Sequence, residues 1–290
     1  MIKIPASSFE MGTDDEDALP RERPSHRMFV DEYYIDKYHT TCGQFSVFCE
    51  ETGYRTTAER FGAADVYKDG QWQWMEQANW RQPLGPGSQI DEIMDHPVVL
   101  VTVGDALAYC AWRSQKEGKP FRLPTEAEWE KAARGETGNR YPWGNQPVDS
   151  GEFPRANYNR GTPKGTLPVG SFPHGKSVYG VHDLAGNAWD LCLNVYDENM
   201  HKNATGRDSG GPFTLSAASV FRGGSWVFPE DYLRSTRRMS NHIARPSSGI
   251  SFRTVNPVHD SRSIRARVHL RRIAYRLRTL TGSYFKKKST

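Results

Sequence analysis

Within residues 1–255, apolar residues recur at helical spacing in three segments, and each segment has a recognisable start. Thr41 precedes Gln44 by three positions, and Thr125 precedes Glu128 by the same interval, which is the signature of a capping box at a helix N-terminus. Asp105 is the expected cap of the remaining segment. The predicted helices cover residues 41–53, 105–116 and 125–134.

Short apolar runs and abundant turn residues fill the rest of the chain. Residues 98–103 (VVLVTV) and 220–222 (VFR) have the composition of strands. From about residue 136 to 225, glycine or proline occurs every few positions and no helical period is visible. The pattern predicts an α+β fold with few helices, short strands and long loops.

The composition favours a folded body over a disordered or membrane-embedded chain. Of the 290 residues, 37% are hydrophobic and 12% are aromatic, which is enough for a sizeable core. No apolar run approaches the roughly 18 residues of a membrane span, and the first residues lack the apolar stretch of a signal peptide. We therefore expect a cytoplasmic protein with reduced, buried thiols. The cysteines, which have no metal-ligand spacing, are Cys42, Cys49, Cys110 and Cys192.

Charge is distributed unevenly along the chain, whose formal net charge is +4. Residues 256–290 carry ten Lys or Arg and one Asp, a charge of +9, so residues 1–255 carry 4 − 9 = −5. This difference divides the chain into an acidic body at 1–255 and a basic C-terminal tail at 256–290.

The tail has the pattern of an amphipathic helix, because its apolar residues are spaced alternately four and three apart and arginines fill the other faces. The apolar stripe comprises Ala266, Leu270, Ile273, Leu277, Leu280 and Tyr284. The expected cationic contacts are Arg267, Arg271, Arg272, Arg276 and Arg278. Such a helix suits an anionic lipid or nucleic-acid surface, or a groove on a partner protein. Docking on the acidic body of the same chain is the alternative.

An ordered series of short motifs runs through residues 1–255. It includes Phe9-x-Met11-Gly12, Thr41-x-x-Gln44-Phe45, Ala78-Asn79-Trp80-Arg81, His96-Pro97-Val98, Arg122-Leu123-Pro124-Thr125-Glu126, Tyr141-Pro142-Trp143-Gly144, Gly186-Asn187-x-Trp189, Arg222-Gly223-Gly224-Ser225-Trp226 and Ser251-Phe252-Arg253. The series resembles the formylglycine-generating enzyme, or sulfatase-modifying factor, family. The resemblance implies a single C-type-lectin-like domain with little regular secondary structure.

The resemblance also implies a chemistry that this chain lacks the residues to perform. Family enzymes bind Cu(I) through two cysteines and use O₂ to convert a substrate cysteine to formylglycine, and a soft Cu(I) ion requires such thiolates. The corresponding positions here are Phe228 and Leu233, and no cysteine follows Cys192. We therefore expect neither copper nor formylglycine-generating activity, and we name no catalytic residue.

In the family fold, the segment after Trp226 lines a groove that holds a substrate peptide. The resemblance therefore predicts a non-catalytic module that binds a peptide or protein in this groove. Its predicted ligand-binding residues are Ser225, Trp226, Phe228, Tyr232, Leu233, Arg238 and His242. The opposing interpretation is that the aromatic residues are core, and that arginines such as Arg234 and Arg237 pair with acids of the body.

Two other functions remain open on the same scaffold. One is a metal-dependent, O₂-using oxidoreductase of different chemistry, since some family relatives without the cysteine pair are oxidative enzymes. The other is a variable ligand-binding protein of a diversity-generating retroelement, since such proteins resemble this family and vary in this same stretch.

The resemblance implies structural calcium as well. A second family site transfers to the side chains of Asp183 and Asp190 and the carbonyls of Gly186 and Ala188, a donor set that suits a hard cation. A first site, at Asn157 and the Tyr158 carbonyl, lacks its expected acid near Gly161. Asx-turns are the alternative role of the two aspartates. The histidines are expected on surface loops, and they are His26, His174, His182 and His201.

Overall fold

The computed structural model describes residues 1–160, 165–208, 218–242 and 244–258. Its four α-helices are α1 (Cys42–Thr52), α2 (Thr57–Phe61), α3 (Val103–Glu117) and α4 (Glu126–Arg134). Three of them confirm the predicted helices, and α2 is a single turn that the hydrophobic pattern does not reveal. Each helix begins with a complete capping box, and the capping residues are Thr41, Thr56, Thr102 and Thr125. The prediction that Asp105 caps α3 is wrong, because Thr102 is the cap and Asp105 is the reciprocating acid at the third helical position.

Eleven short strands are found in the described residues, and they form four small sheets. The strands are β1 (Ile2–Ile4), β2 (Ser7–Met11), β3 (His26–Val30), β4 (Tyr33–Ile35), β5 (Ala63–Lys68), β6 (Gln71–Glu76), β7 (Trp189–Val195), β8 (Ala218–Arg222), β9 (Arg238–His242), β10 (Ile250–Ser251) and β11 (Val255–Pro257). The largest sheet has the order β10-β7-β8-β9, in which only the β10–β7 pair is parallel. The α+β class is confirmed, and β8 confirms the predicted strand at 220–222.

The strand predicted at 98–103 is wrong. This run is buried, but Leu100 adopts a left-handed backbone with φ of 59°, and Val103 already belongs to α3. Its amides bond to scattered carbonyls instead of a ladder: Val98 N donates to Thr40 O at 2.9 Å and Leu100 N to Ser247 O at 3.1 Å. The apolar run therefore indicates burial in the core and does not indicate pairing in a sheet.

The core is rich in aromatic contacts and encloses all four cysteines as free thiols. Phe45 contacts Trp80 with a ring separation of 5.2 Å and Tyr109 with one of 6.0 Å. Burial raises the pKa of both Cys42 and Cys49 to about 12. These thiols therefore stay protonated at neutral pH and lack the thiolate character of a soft-metal ligand.

A hairpin of β5 and β6 presents exposed aromatic side chains. Asp69 and Gly70 form its turn with φ of 53° and 81°, the backbone of a two-residue hairpin loop, so this Asp-Gly pair is the sequence signal that predicts the hairpin. Trp72 and Trp74 are 43% and 51% exposed on β6. Tyr67, opposite Trp72, contacts it with a ring separation of 5.3 Å and Trp226 with one of 5.8 Å.

Within the described residues, every helix is too short or too polar to cross a membrane. The predicted tail helix, with its arginines, lies beyond residue 258 and so outside the described residues.

Candidate binding cleft

A layer of buried ion pairs supports the floor of the candidate site. Arg222 Nη1 donates to Glu126 Oε1 at 3.0 Å, and Arg238 Nη2 donates to Glu126 Oε2 at 3.0 Å. Arg222 also pairs with Glu130. Burial by itself raises the pKa of Glu130, but the positive charges of Arg222 and Arg134 outweigh burial and lower this pKa to about 2. Arg238 is 0% exposed and therefore does not line a ligand groove, contrary to the sequence-based expectation.

Arg234 and Arg237 are also occupied within the fold. Both are buried and lie 3.2 and 3.4 Å from the carboxylate of Glu22, which is itself fully buried. Arg237 also stacks over the ring of Tyr232 at 4.0 Å. The structure thus confirms the alternative interpretation for these arginines, in which they pair with acids of the body.

Hydrophobic packing occupies the positions of the family's copper-binding cysteines. The ring of Phe228 lies 5.6 Å from that of Trp189 and 4.7 Å from that of Tyr232. Leu233 is fully buried in a second cluster that includes Tyr141. Neither side chain offers a sulfur or nitrogen donor, so the residues present do not fit Cu(I). In the described part of the chain, no group of three or more His, Cys, Asp or Glu side chains is arranged to hold a metal ion.

Glycines allow the close packing behind this cluster. Gly224 has φ of 78°, and a Cβ there would lie 2.9 Å from Leu233 Cδ2. Ser225 is fully buried, and its Oγ would lie 3.1 Å from a Cβ placed on Gly249. The hydroxyl predicted at the groove floor is therefore enclosed by the backbone instead of facing a ligand.

An open cavity beside Trp226 has a volume of about 550 Å³. Trp226 and Ser248 form one wall, and the opposite walls come from segments that the sequence analysis did not assign to the site. The lining residues are Pro83, Leu84, Gly87, Ser88, Gln89, Glu92, Ile93, His96, Val99, Gly165, Thr166, Trp226 and Ser248. We call this space the cleft.

The cleft combines an apolar surface with a few polar groups. Leu84 is 45% exposed, and Trp226 is buried, with its Nε1 donating to Ser248 O at 3.1 Å. His96 Nδ1 lies 3.0 Å from Thr166 Oγ1, and burial lowers the pKa of His96. A neutral imidazole beside a hydroxyl, set among apolar walls, is suited to orient a ligand by hydrogen bonds.

The seven predicted ligand residues do not converge on one surface. Only Trp226 lines the cleft. Phe228 and Tyr232 are half-buried in the aromatic cluster, Leu233 is in the core, and His242 is exposed at the end of β9. The motif after Gly224 contributes Trp226 to the cleft, but its composition alone does not separate side chains that line a cavity from side chains that pack in the core.

The second predicted calcium site surrounds two buried aspartates. Asp190 Oδ2 accepts hydrogen bonds from Trp129 Nε1 and Arg253 Nε, both at 2.8 Å. Its Oδ1 lies 3.2 Å from His39 Nε2 and has no hydrogen-bond donor among the described residues. Arg253 therefore already balances the charge of Asp190 at Oδ2. Oδ1 is the oxygen of Asp190 that is left to bind a cation.

Asp183 lies seven positions before Asp190 and adopts a left-handed backbone with φ of 55°. Its Oδ2 accepts a hydrogen bond from Gly170 N at 2.7 Å, and burial raises its pKa to about 6. The Gly186 carbonyl accepts from Ala188 N at 2.9 Å and keeps a second lone pair. These donors are of the type that calcium prefers, so calcium at this site stays a prediction.

The residues of the first predicted calcium site take part in internal hydrogen bonds, and calcium at this site stays a prediction. The Asn157 amide donates to Asn187 Oδ1 at 3.1 Å and to Gly165 O at 3.0 Å. The Asn157 carbonyl accepts from Asn187 N at 2.8 Å, and the Tyr158 hydroxyl donates to Asp149. These contacts join the loop of Asn157 to the wall of the cleft at Gly165.

Calcium binding at the second site is expected to stabilise the protein measurably. We expect a saturating calcium concentration to raise the Tm of EDTA-treated protein by roughly 5 °C or more, because a ligand at 100 times its Kd contributes about 2.7 kcal/mol. Asp183→Ala should remove this rise, whereas Glu152→Ala, at an exposed acid, should retain it. Thermal unfolding with calcium or magnesium provides the measurement, and an unchanged Tm in millimolar calcium would contradict the site.

Two histidine predictions are wrong. His182 and His201 are 7% and 2% exposed, whereas His174 is on the surface as predicted and His26 is half-buried. The rings of His26 and His201 are 5.2 Å apart, and neither ring nitrogen of His201 has a partner among the described residues. Loop composition predicts exposure poorly here because the loops themselves form much of the core.

The family comparison agrees with this geometry. Residues 1–258 match the model of the sulfatase-modifying factor enzyme 1-like domain. The formylglycine-generating enzyme of Thermomonospora curvata is 36% identical over 281 residues, which cover 86% of this chain and 89% of that protein. Inactive C-alpha-formylglycine-generating enzyme 2 of Bos taurus is also 36% identical over 285 residues, which cover 87% of this chain and 86% of that protein. The structure of PvdO from Pseudomonas aeruginosa superposes with a TM-score of 0.71 at 25% identity and covers 88% of this chain and 93% of that one.

The fold and the cleft therefore define a C-type-lectin-like domain of irregular α+β architecture. The chain belongs to the sulfatase-modifying factor family, in which both formylglycine-generating enzymes and proteins named as inactive occur.

Proposed function

We propose that this chain is a peptide- or protein-binding module of the sulfatase-modifying factor family, and that it does not generate formylglycine. The observation that carries the proposal is the replacement of both copper-ligand positions by apolar side chains. Phe228 is packed between Trp189 and Tyr232, and Leu233 is fully buried. A relative of similar identity that is named as inactive supports the same interpretation.

The cleft supplies what recognition of a peptide requires. Its volume of about 550 Å³ is within the usual range for a ligand site and admits a few side chains rather than a whole domain. Leu84 and Ile93 provide apolar contact area, while the exposed side chains of Gln89 and Glu92 offer polar groups to a peptide. Trp226 is buried and forms part of the cleft wall, where Ser248 O accepts from its indole nitrogen.

Peptide selection followed by a cleft variant tests this function. A random peptide display library is selected on the immobilised full chain, and the affinity of the enriched peptides is then measured by calorimetry. Because Leu84 is exposed at the cleft wall, Leu84→Asp is expected to weaken these peptides at least tenfold without unfolding the protein. Val178→Asp, at another exposed apolar residue that packs beside Gly135, is the matched control and should leave the affinity unchanged.

The same peptides distinguish binding from catalysis. After incubation with the protein, O₂, Cu(I) and a thiol reductant, mass spectrometry should recover cysteine-containing peptides unmodified. Conversion of a peptide thiol to an aldehyde would overturn the proposal and favour an oxidase. Failure to enrich any peptide whose binding depends on Leu84 would also overturn it. A stoichiometric iron or copper in the purified protein would instead support an oxidoreductase of different chemistry.

A further inference from the structure

One lip of the cleft is both acidic and apolar. Residues 90–96 form successive turns, in which Ile93 N donates to Ile90 O at 2.8 Å and His96 N to Ile93 O at 3.0 Å. Three exposed carboxylates project from this segment, and none forms an ion pair with any part of the chain that the structure describes. We call Asp91, Glu92 and Asp95 the acidic lip.

Apolar side chains lie between these acids. Ile93 lines the cleft, and Met94 is 40% exposed. Leu84 faces the same space and is 45% exposed. The lip thus presents carboxylates and exposed apolar groups together, so its chemical complement is a segment that carries arginines beside an apolar stripe.

The tail of this chain has that complementary pattern. Residues 256–290 carry a charge of +9 against −5 for the body, and the stripe from Ala266 to Tyr284 places apolar residues on one predicted face with arginines beside it. A cleft of about 550 Å³ admits a few side chains of such a stripe.

The tail is also long enough to reach the cleft. The described chain ends at Val258, whose N donates to Glu32 O at 3.3 Å beside β4. Residues 259–265 span at most about 25 Å when extended, and a helix from 266 to 284 is about 28 Å long. The helix can therefore begin up to about 25 Å from Val258 and extend about 28 Å further over a body whose radius of gyration is about 18 Å.

We propose that the tail docks in the cleft of its own chain, with its arginines against the acidic lip and its apolar stripe against Leu84 and Ile93. This inference rests on the proposed function, because it assigns the tail to the same peptide site. A tethered segment acts at an effective concentration in the millimolar range, so even a weak tail contact competes with an external peptide. The ionic part of the contact weakens as salt rises.

Zero-length cross-linking of the full chain tests the docking without an external ligand. A carbodiimide joins lysine amines to neighbouring carboxylates, and the tail ends in Lys286, Lys287 and Lys288. Within monomers, we expect these lysines to couple to the acidic lip about ten times more often than to three other exposed acids that form no ion pair within the described residues. These matched carboxylates are Glu16, Glu152 and Glu198.

A charge-reversed tail provides the corresponding variant. Arg271→Glu/Arg272→Glu/Arg276→Glu should reduce the coupling at the lip about tenfold and should bind the selected peptides about tenfold more tightly than the native chain. Uniform coupling over all exposed acids, or none, would overturn the docking. A native tail that binds phosphatidylserine vesicles but gives no coupling at the lip would overturn it too and would assign the tail to membranes.

The two proposals fail in different ways. If peptides that bind through Leu84 have equal affinity for the native and charge-reversed chains, the tail docking is contradicted and the peptide-binding function is kept. Coupling at the lip, with no peptide selected on either the native or the charge-reversed chain, would keep the docking and remove the external peptide.

Discussion

Arg222→Ala is expected to lower the free energy of unfolding by about 3–5 kcal/mol. Arg222 is fully buried between Glu126 and Glu130 on α4, so its removal leaves uncompensated carboxylates in the interior. Arg222 also donates to the carbonyl of Ser235 at 2.7 Å, and this backbone acceptor would lose its partner. Chemical denaturation with the midpoint and slope fitted separately provides the measurement.

Arg207→Ala is the matched control for this loss. Arg207 pairs with Asp31 at 2.9 Å, but both side chains are exposed, and such surface pairs contribute about 0–1 kcal/mol. Equal losses of stability in the two alanine variants would contradict the conclusion that the buried ion pairs of Arg222 stabilise the fold. The prediction matters for function because these ion pairs join α4 to Arg222, which is four residues before Trp226 in the cleft wall.

Acid is expected to destabilise the protein through His201. Burial is the main cause that lowers the pKa of His201 to about 4; Arg238 and Arg222 act in the same direction, and Glu130 and Glu126 oppose them. Because the unfolded chain binds a proton near pH 6.5 and the folded chain does not until about pH 4, this group's contribution to stability is lost as the pH falls through that window. The expected loss is roughly 3 kcal/mol.

Unfolding measured from pH 7 to pH 4 in native and His201→Gln proteins isolates this contribution. The variant should lose about 3 kcal/mol less than the native chain over the window. His174→Gln, at an exposed imidazole stacked on Phe153, is the control, because it leaves the buried histidine in place. Parallel pH profiles for the native chain and His201→Gln would contradict a buried, neutral His201.

The elements that carry their own local signals were predicted correctly from the sequence. The capping boxes at Thr41 and Thr125 mark helices whose ends depend on hydrogen bonds only three residues apart. The α+β class and the loop-rich middle also follow from local composition, and the order of the motifs identifies the family. The strand β7 was missed although apolar residues alternate along it from Trp189 to Val195, because the glycine- and proline-rich stretch around it was interpreted as loop.

The cleft could not be predicted because distant segments build it. Leu84 and Ile93 are far in sequence from Thr166 and Trp226, and only the folded loops bring them together. Arg238 illustrates the opposite error, because an arginine in a groove motif is indistinguishable by sequence from one that holds a buried carboxylate. Its partner Glu126 is 112 positions away.

The copper content of the full chain is the most informative single measurement. The chain is exposed to Cu(I) under reducing conditions, desalted and analysed for metal beside the Thermomonospora curvata enzyme as a positive reference. Because Phe228 and Leu233 offer no soft donor and the cysteines are buried, we expect the chain to retain essentially no copper. Retention of about one copper per chain would contradict the loss of the metal site, and with it the assignment of this protein as a binding module.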